Sequence, residues 1–474
     1  MSFYQLPYEM KKKIFSNLGR KELRTIRQID SNWKIVIDDL RKWKKRCLVD
    51  EIKPWKNQLI KLQYPSLKSN KYNDLKDEQW KIIFLLYKKW RQVFNSNHCT
   101  IHNFKIPQEN IPHELANSNI KFHYDLLANH FVVGINRIGL NCLYAINEKI
   151  DLKHKLKFEN YADSDIILKD DEINWFNFID PIEIKIWITG TGKVINIMYF
   201  RSQILFWDVM RKTKIPTPSI FFQDMRSLHL RRGTDEYFYV INTFENKLIS
   251  VIRLDYVENE ITTAEILTIN FCASEIPEFL DFYAERRKIM IIYTLFGLNK
   301  LITTIVQIPQ SQSLPIIIDN SFQETNTAIT VLNYSYNYKF IIPCMNVVIG
   351  HHIDNGREFI VQVSRFDENN NHTTSLKHYV LPQDIMTRDF YITSMALYFN
   401  HIFIATAAGK LIIFKLKHLQ HLLYLNFDYL KPKIIDTKVS SINGLKITKH
   451  NNRIIILLTT LSSQVNFLFC NLHL

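Results

Sequence analysis

The hydrophobic period changes once along this chain, and that change limits the folds open to it. Up to about residue 94, apolar side chains recur every three or four positions, the spacing of one face of an α-helix. From about residue 120 onward the helical period is gone. Short runs rich in Val, Ile, Tyr, Phe and Thr alternate with turns instead, which is how strands read. The 474 residues therefore divide into a short helical part and a long all-β part, with apolar material for a sizeable core.

Charge follows the same division. The chain has 60 Lys+Arg against 46 Asp+Glu, a net charge of +14. Residues 1–95 alone hold 23 basic and 10 acidic side chains, so nearly the whole excess sits on the helical fifth. A block of that sign attracts an acidic partner, whether protein, nucleic acid or anionic membrane. It reads equally as a solvated helical surface.

The helical part is expected to hold three short helices between residues 6 and 47. Pro7 suits a first turn, where its missing N–H is not needed. Met10, Ile14, Phe15 and Leu18 follow on one face, and Gly19 is placed to end that helix. Leu23, Ile26 and Ile29 make a second stripe. Asp30, Ser31 or Asn32 can cap a third helix, which carries Trp33, Val36, Leu40, Trp43 and Cys47. Residues 48–75 are expected to be irregular, with Pro54 and Pro65 as breakers. A further helix then places Trp80, Ile83, Phe84, Tyr87, Trp90 and Phe94 on one face and Lys81, Lys88, Lys89 and Arg91 on the other.

These residues carry a resemblance. Leu6-Pro7-Tyr8-Glu9, Ile14-Phe15, Leu18, Lys21-Glu22-Leu23, Ile26-Arg27-Gln28-Ile29, Trp33, Leu40 and Trp43 resemble an F-box in order and spacing. Asp30-Ser31-Asn32 ahead of Trp33, and Gly19 where an aspartate is common, depart from the pattern without removing an apolar anchor. The resemblance implies a non-catalytic subunit of an SCF (Skp-cullin-F-box) ubiquitin ligase. Its F-box would pack on an acidic Skp-type adaptor and, through it, reach cullin and RING subunits. The positions implied are Leu6, Pro7, Ile14, Phe15, Leu18, Leu23, Ile26, Ile29, Trp33, Leu40 and Trp43. Direct contact is favoured for Leu6, Pro7 and Phe15, and a core role for Trp33 and Trp43. Trp80, Tyr87 and Trp90 resemble the linker helix of F-box proteins with WD repeats.

In the β part, strand couples recur near 195, 245, 295, 345, 410 and 460. Strand-built repeats of about 40–50 residues suggest a β-propeller. Ile204-Leu205-Phe206-Trp207-Asp208-Val209 resembles a WD-repeat terminus, and Lys410 to Leu416 is a weaker version. The fold class expected is α + all-β: a three-helix F-box at 1–50, helical linker at 51–98, and a degenerate WD-repeat-like β-propeller of about seven blades at 99–474. Region 310–390 is the least legible.

Motifs for chemistry are lacking. The chain has no Walker loop, GxGxxG, GxSxG or HExxH, and Gly190-Thr191-Gly192-Lys193 has the wrong spacing for a phosphate loop. His98, Cys99, His102 and His113 lack a second cysteine for zinc. His351-His352 is expected to enter a turn. No cofactor or metal is expected, and the substrate site is unknown. Arg231-Arg232, expected in a turn, and Arg286-Arg287 are pairs that suit phosphate, though they read first as solvated turn residues. The scattered cysteines and the absence of a signal peptide or long apolar span point to a cytoplasmic and/or nuclear protein. Membrane and nucleic acid are not expected as partners. The alternative function is an F-box scaffold or a nucleic-acid- or anionic-surface-binding protein acting through its basic N-terminal region, without a ligase role.

Overall fold

A computed structural model describes residues 6–18, 20–40, 43–47, 52, 55–64, 67–92, 99–104, 122–127, 130–135, 140–145 and 155–158. It also describes 182–471 apart from 201–203, 212, 223–227, 245–247, 273–275, 286–287, 296–299, 309–314, 320–326, 334–337, 353–355, 367–371, 383–390, 417–418, 428–429, 439–440, 451–452 and 461–464.

The helices are α1 (Tyr8–Ser16), α2 (Arg20–Ile29), α3 (Ser31–Leu40), α4 (Trp43–Cys47), α5 (Lys56–Gln63) and α6 (Asp77–Gln92). The third expected helix is thus two. The Asp77 carboxylate at the start of α6 accepts the backbone N–H of Trp43 at 2.9 Å and of Lys44 at 3.4 Å. It caps a separate α4 from 34 residues away in sequence, which no local pattern reveals. The stretch expected to be irregular also holds structure: α5 and a 3-10 turn, Ser69–Asp74. Pro54 and Pro65 fall just outside α5 and bracket it rather than preventing it.

The strands are β1 (Cys99–Phe104), β2 (Phe122–Leu127), β3 (His130–Ile135), β4 (Leu140–Ala145), β5 (Lys155–Phe158), β6 (Glu183–Ile188), β7 (Val194–Tyr199), β8 (Ile204–Asp208) and β9 (Thr213–Ile215). They continue with β10 (Leu228–Arg232), β11 (Phe238–Phe244), β12 (Leu248–Val257), β13 (Glu260–Asn270), β14 (Pro277–Glu285), β15 (Lys288–Leu295), β16 (Lys300–Gln307), β17 (Ile316–Asp319), β18 (Thr327–Asn333) and β19 (Tyr338–Cys344). The last are β20 (Val347–His352), β21 (Glu358–Phe366), β22 (His372–Val380), β23 (Ile392–Tyr398), β24 (His401–Thr406), β25 (Lys410–Lys415), β26 (Lys433–Asp436), β27 (Ile442–His450), β28 (Arg453–Thr460) and β29 (Val465–Asn471).

They form seven sheets, in the orders β2-β3-β4-β5, β6-β7-β8-β9, β10-β11-β12-β13-β17, β14-β15-β16-β18, β19-β20-β21-β22, β23-β24-β25-β26 and β27-β28-β29-β1. The first strand of each sheet lies against the first strand of the next, and β2 returns to β27. The sheets are therefore arranged in a ring, a β-propeller. β1 is antiparallel to β29, pairing Cys99 with Cys470, so the last sheet takes its outer strand from the start of the β region. β17, from an excursion of the fourth sheet, runs parallel to β13 and widens the third.

A repeated contact joins the inner strands. The Asp125 carboxylate on β2 accepts the N–H of Ile186 on β6 at 2.7 Å. Glu183 on β6 accepts from Leu230 on β10 at 2.8 Å, and Asp281 on β14 from Ile342 on β19 at 2.7 Å. Each carboxylate ties its sheet to a neighbour's backbone. Cations complete the pairs: Lys446 on β27 lies 2.7 Å and Arg232 on β10 3.2 Å from Asp125. Arg231 bridges Glu183 at 3.1 Å and Asp281 at 3.0 Å. Arg231 and Arg232 are thus strand residues whose charge is already matched, which corrects their expected place in a turn and leaves them unsuited to read phosphate. Arg286-Arg287 lie outside the described residues.

Turns bear out their chemistry in part. Trp207-Asp208 ends β8, the third strand of its sheet. Asp208, 1% exposed, accepts the N–H groups of Met210 and Arg211 at 2.9 and 3.0 Å. Gly190-Thr191-Gly192 is the β6–β7 hairpin turn, where Gly192 has φ 81°, a conformation that favours glycine. His351 and His352 belong to β20 rather than to a turn. His351 is buried, which lowers its pKa to about 4, and His352 packs on Tyr338 with ring centroids 5.0 Å apart. Cys99 and His102 are β1 positions, while His98 and His113 lie outside the described residues.

Candidate protein-interaction surfaces

The N-terminal helices enclose a small core and leave several large apolar side chains exposed outside it. Phe15, Val36 and Ile37 are buried, with Leu18, Leu23, Ile26 and Trp33 packed against them. Phe15 meets Trp33 edge-on, centroids 6.2 Å apart. Asp30 fixes the start of α3, accepting the N–H of Asn32 at 2.6 Å and of Trp33 at 3.2 Å. Outside this core stand Tyr8, Met10 (53% exposed), Ile14, Ile29 (62%) and Ile35 (62%). Several large apolar side chains left exposed on one small module suit an interaction site.

The eleven expected positions thus separate by exposure. Pro7, Ile14 and Ile29 are exposed, and Leu6, Leu18, Leu23, Ile26 and Trp33 are half-buried. Phe15, for which direct contact was expected, is 2% exposed. It fills the three-helix core because α3 closes over it, so it supports the surface rather than forming it. Trp43 is buried elsewhere: it leans on Phe84 of α6 with centroids 5.2 Å apart. The side chains of Leu40 and Trp90 lie outside the described residues. Tyr8, Met10 and Ile35 were not singled out from the sequence as contact positions. For Met10 the signal was there, since it lies four residues before Ile14 on the same helix face.

A second surface is the seam between helices and ring. Trp55, Trp80 and Tyr87 are buried there with Trp43 and Cys47. Burial, reinforced by the nearby Asp77 charge, pushes the Cys47 thiol up to about 12, which keeps it protonated. The helices meet the turns that join first to second strands. Trp55 packs on Phe399 after β23, centroids 6.1 Å apart. Tyr72 Oη donates to Thr234 O after β10 at 3.2 Å, Asn57 Nδ2 donates to Glu285 at the end of β14, and the Lys68 side chain lies against Gly190 after β6. The same apolar cluster continues through Met290, Val347, Phe403 and Ile454 into four sheets. One end of the ring is therefore occupied by its own chain.

The opposite end presents the connections that lead into each new sheet. Exposed apolar side chains there are Ile182 before β6, Ile276 before β14, Val380 closing β22 (55% exposed) and Tyr391 before β23 (49%). The backbone under Tyr391 is pinned, with Ile392 N donating to Gly356 O at 2.7 Å and Leu381 N to Arg357 O at 3.0 Å. Gly356 is required at that point, because a Cβ there would overlap Tyr391. Among the described residues, no group of three or more His, Cys, Asp or Glu is placed to hold a metal ion. No described helix is long and apolar enough to cross a membrane.

Comparison with known proteins agrees with the helical end. Residues 3–45 match the F-box domain family, so the chain carries an F-box domain followed by a β-propeller. No curated protein matches the chain. Solved structures similar to it include the β-propeller domain of Myceliophteria thermophila Cps50 (Swd1), at 9% identity over 78% of this chain and 99% of that one, TM-score 0.42. Hsv2 of Kluyveromyces lactis is similar at 12% identity over 72% and 90%, TM-score 0.40. The WD40 domain of SCAP from fission yeast is similar at 9% identity over 76% and 82%, TM-score 0.38.

Proposed function

We propose that this chain is the substrate-recognition subunit of an SCF-type ubiquitin ligase, with no catalytic role of its own. The observation that carries the reading is the F-box match at residues 3–45 together with the large apolar side chains those residues expose. Tyr8, Met10, Ile14, Ile29 and Ile35 form the adaptor surface in this account, and the basic side chains around them favour an acidic adaptor. Cullin and RING subunits are reached through that adaptor.

The division of labour follows the chain: an F-box over about 1–50, a helical stalk over 51–98 and a receptor ring over 99–474, in which each of the seven sheets is one blade. The substrate is a protein that docks on the end of the ring away from the stalk, around Val380, Tyr391 and Arg357. This arrangement favours transfer. A buried, tryptophan-rich seam holds substrate and adaptor at a set separation, and positioning of this kind raises effective concentration at the catalytic end of a ligase. Such a complex works in the cytoplasm or nucleus.

Affinity purification of the full chain, with and without a proteasome inhibitor, tests the reading. The adaptor and cullin are expected in both samples, and a protein enriched only with inhibitor is the substrate. A purification that brings down neither adaptor nor cullin contradicts it.

A further inference from the structure

The closing point of the ring carries a dipeptide that the ligase reading does not use. Asn443 and Gly444 lie near the start of β27, the inner strand of the last sheet. The pairing with β28 slips there: Ile442 faces Thr460, while Gly444 faces Thr459. Asn443 is the extra residue of this bulge and has no partner in the ladder. It stands at the surface, whereas Ile442 before it is buried.

Two hydroxyl groups lead to the Asn443 amide. Thr459 Oγ1 on β28 donates to Asn443 Oδ1 at 2.8 Å. A hydroxyl has one proton to give, so the Thr459 oxygen accepts from Tyr124 Oη on β2, 2.9 Å away. The relay therefore crosses from the first sheet to the last. Gly444 lets it form. A Cβ at that position would overlap Tyr124 Oη and crowd Thr459 Oγ1.

These features suit one reaction. The backbone nitrogen that follows an asparagine can attack the side-chain carbonyl carbon and close a five-membered ring. The step is intramolecular, so the nucleophile is present at high effective concentration. Negative charge develops on Oδ1 as the nitrogen adds, and a hydroxyl already donating to that atom stabilises it. Glycine puts no side chain beside the attacking nitrogen. Exposure of Asn443 admits the water that the second step consumes.

We propose that Asn443-Gly444 is a self-modifying site, converted without an enzyme to aspartate and isoaspartate with the help of the Tyr124–Thr459 relay. The Gly444 nitrogen gives its proton to water and bonds to Cγ. The Cγ–Nδ2 bond breaks, and Nδ2 leaves as ammonia with a proton taken from water. Water then adds to either carbonyl of the succinimide and reopens the ring. The net change is uptake of water and release of ammonia, with nothing oxidised or reduced. The product carries a carboxylate, and in isoaspartate the main chain is longer by one carbon. Both changes fall where β27 meets β2, on the strand that also carries Lys446, the partner of Asp125. The modification therefore acts on the ring closure, whether or not the chain binds an adaptor.

Incubation of the full chain at neutral pH and 37 °C tests it, with aspartate and isoaspartate at 443 read by peptide mapping. A free peptide of residues 442–446 in the same solution serves as the clock. Asn443 is expected to convert in the folded wild type. Relative to the clock, its rate should fall about fivefold in Thr459→Val, the effect of one hydrogen bond lost from the transition state. Tyr124→Phe should also slow it. A variant that merely loosened the strand would speed conversion, so slowing reports the relay itself. An Asn443 that stays intact in the folded wild type overturns the proposal, and so does a Thr459→Val rate equal to or above that of the wild type. Should Thr459→Val fail to fold, an unslowed Tyr124→Phe overturns it equally.

Discussion

Lys446 Nζ lies 2.7 Å from Asp125 Oδ1, joining the first inner strand of the ring to the last across 321 residues of chain. Asp125 is completely buried. It also holds the Ile186 N–H and the Arg232 guanidinium, so one carboxylate binds the sheet containing it to three others. A ring needs a closure, and here an ion pair stands at the closing point alongside the β1–β29 pairing.

That geometry sets an acid limit. Burial opposes ionisation of Asp125, but Arg232, Lys446 and Lys185 outweigh it and hold its pKa well below the carboxylate range. Glu183 is lowered to about 2: Lys185 and Arg231 overcome the cost of its burial. Depressed values mean that this stability is present above about pH 4 and is lost as pH falls through the folded pKa. The urea midpoint of the ring should therefore fall steeply between pH 4 and pH 2. Asp125→Asn should lower the midpoint already at pH 7, with a stability loss of about 3 kcal/mol, discounted because the Arg232 and Lys446 side chains are 27% and 28% exposed. An Asp125→Asn midpoint equal to wild type at pH 7 would count against the closure.

Trp80 makes a separate prediction about the seam. It is 1% exposed and sits among Trp43, Trp55 and Tyr87. Replacing it by alanine removes a large buried side chain, at a cost of about 3–5 kcal/mol. Because the apolar cluster that contains Trp80 continues from stalk into ring, limited proteolysis should cut between residues 48 and 98 far sooner than in the wild type, while the ring fragment stays intact. Unchanged cleavage would mean that the helices are anchored by something else.

The long-range cap on α4 can be removed alone. Asp77→Ala takes the acceptor away from the N–H groups of Trp43 and Lys44, and loss of such a cap costs about 1 kcal/mol. Hydrogen exchange should quicken at those two amides and in the rest of α4, and not in α1 to α3.

How far the sequence revealed this arrangement depended on whether a feature was local. The change of period, the F-box positions and the strand couples near 195, 245, 295 and 410 are all nearest-neighbour patterns, and they could be read. Trp207-Asp208 could be read because a strand end and its turn are adjacent. What escaped depends on distant partners. α5 was hidden because Pro54 and Pro65 look like breakers unless the helix is known to fit between them. Phe15 looked like a contact because only α3, folded back, shows that it is covered. Asp125, Glu183 and Asp281 gave no signal, since their partners lie 47 to 61 residues further on. Arg231 and Arg232 were misplaced in a turn for the same reason.

The account rests most heavily on the exposed apolar side chains of the F-box, and direct titration with a purified Skp-type adaptor tests it. Met10→Lys with Ile14→Lys places two charges on side chains that are 53% and 38% exposed, where they should leave the fold intact. The double variant is predicted to lose at least about 100-fold in affinity, the effect of losing two interface anchors at about 1.4 kcal/mol each, with thermal unfolding unchanged. Wild-type affinity in a folded Met10→Lys/Ile14→Lys variant, or no binding of the adaptor by the wild-type chain, would contradict the central claim.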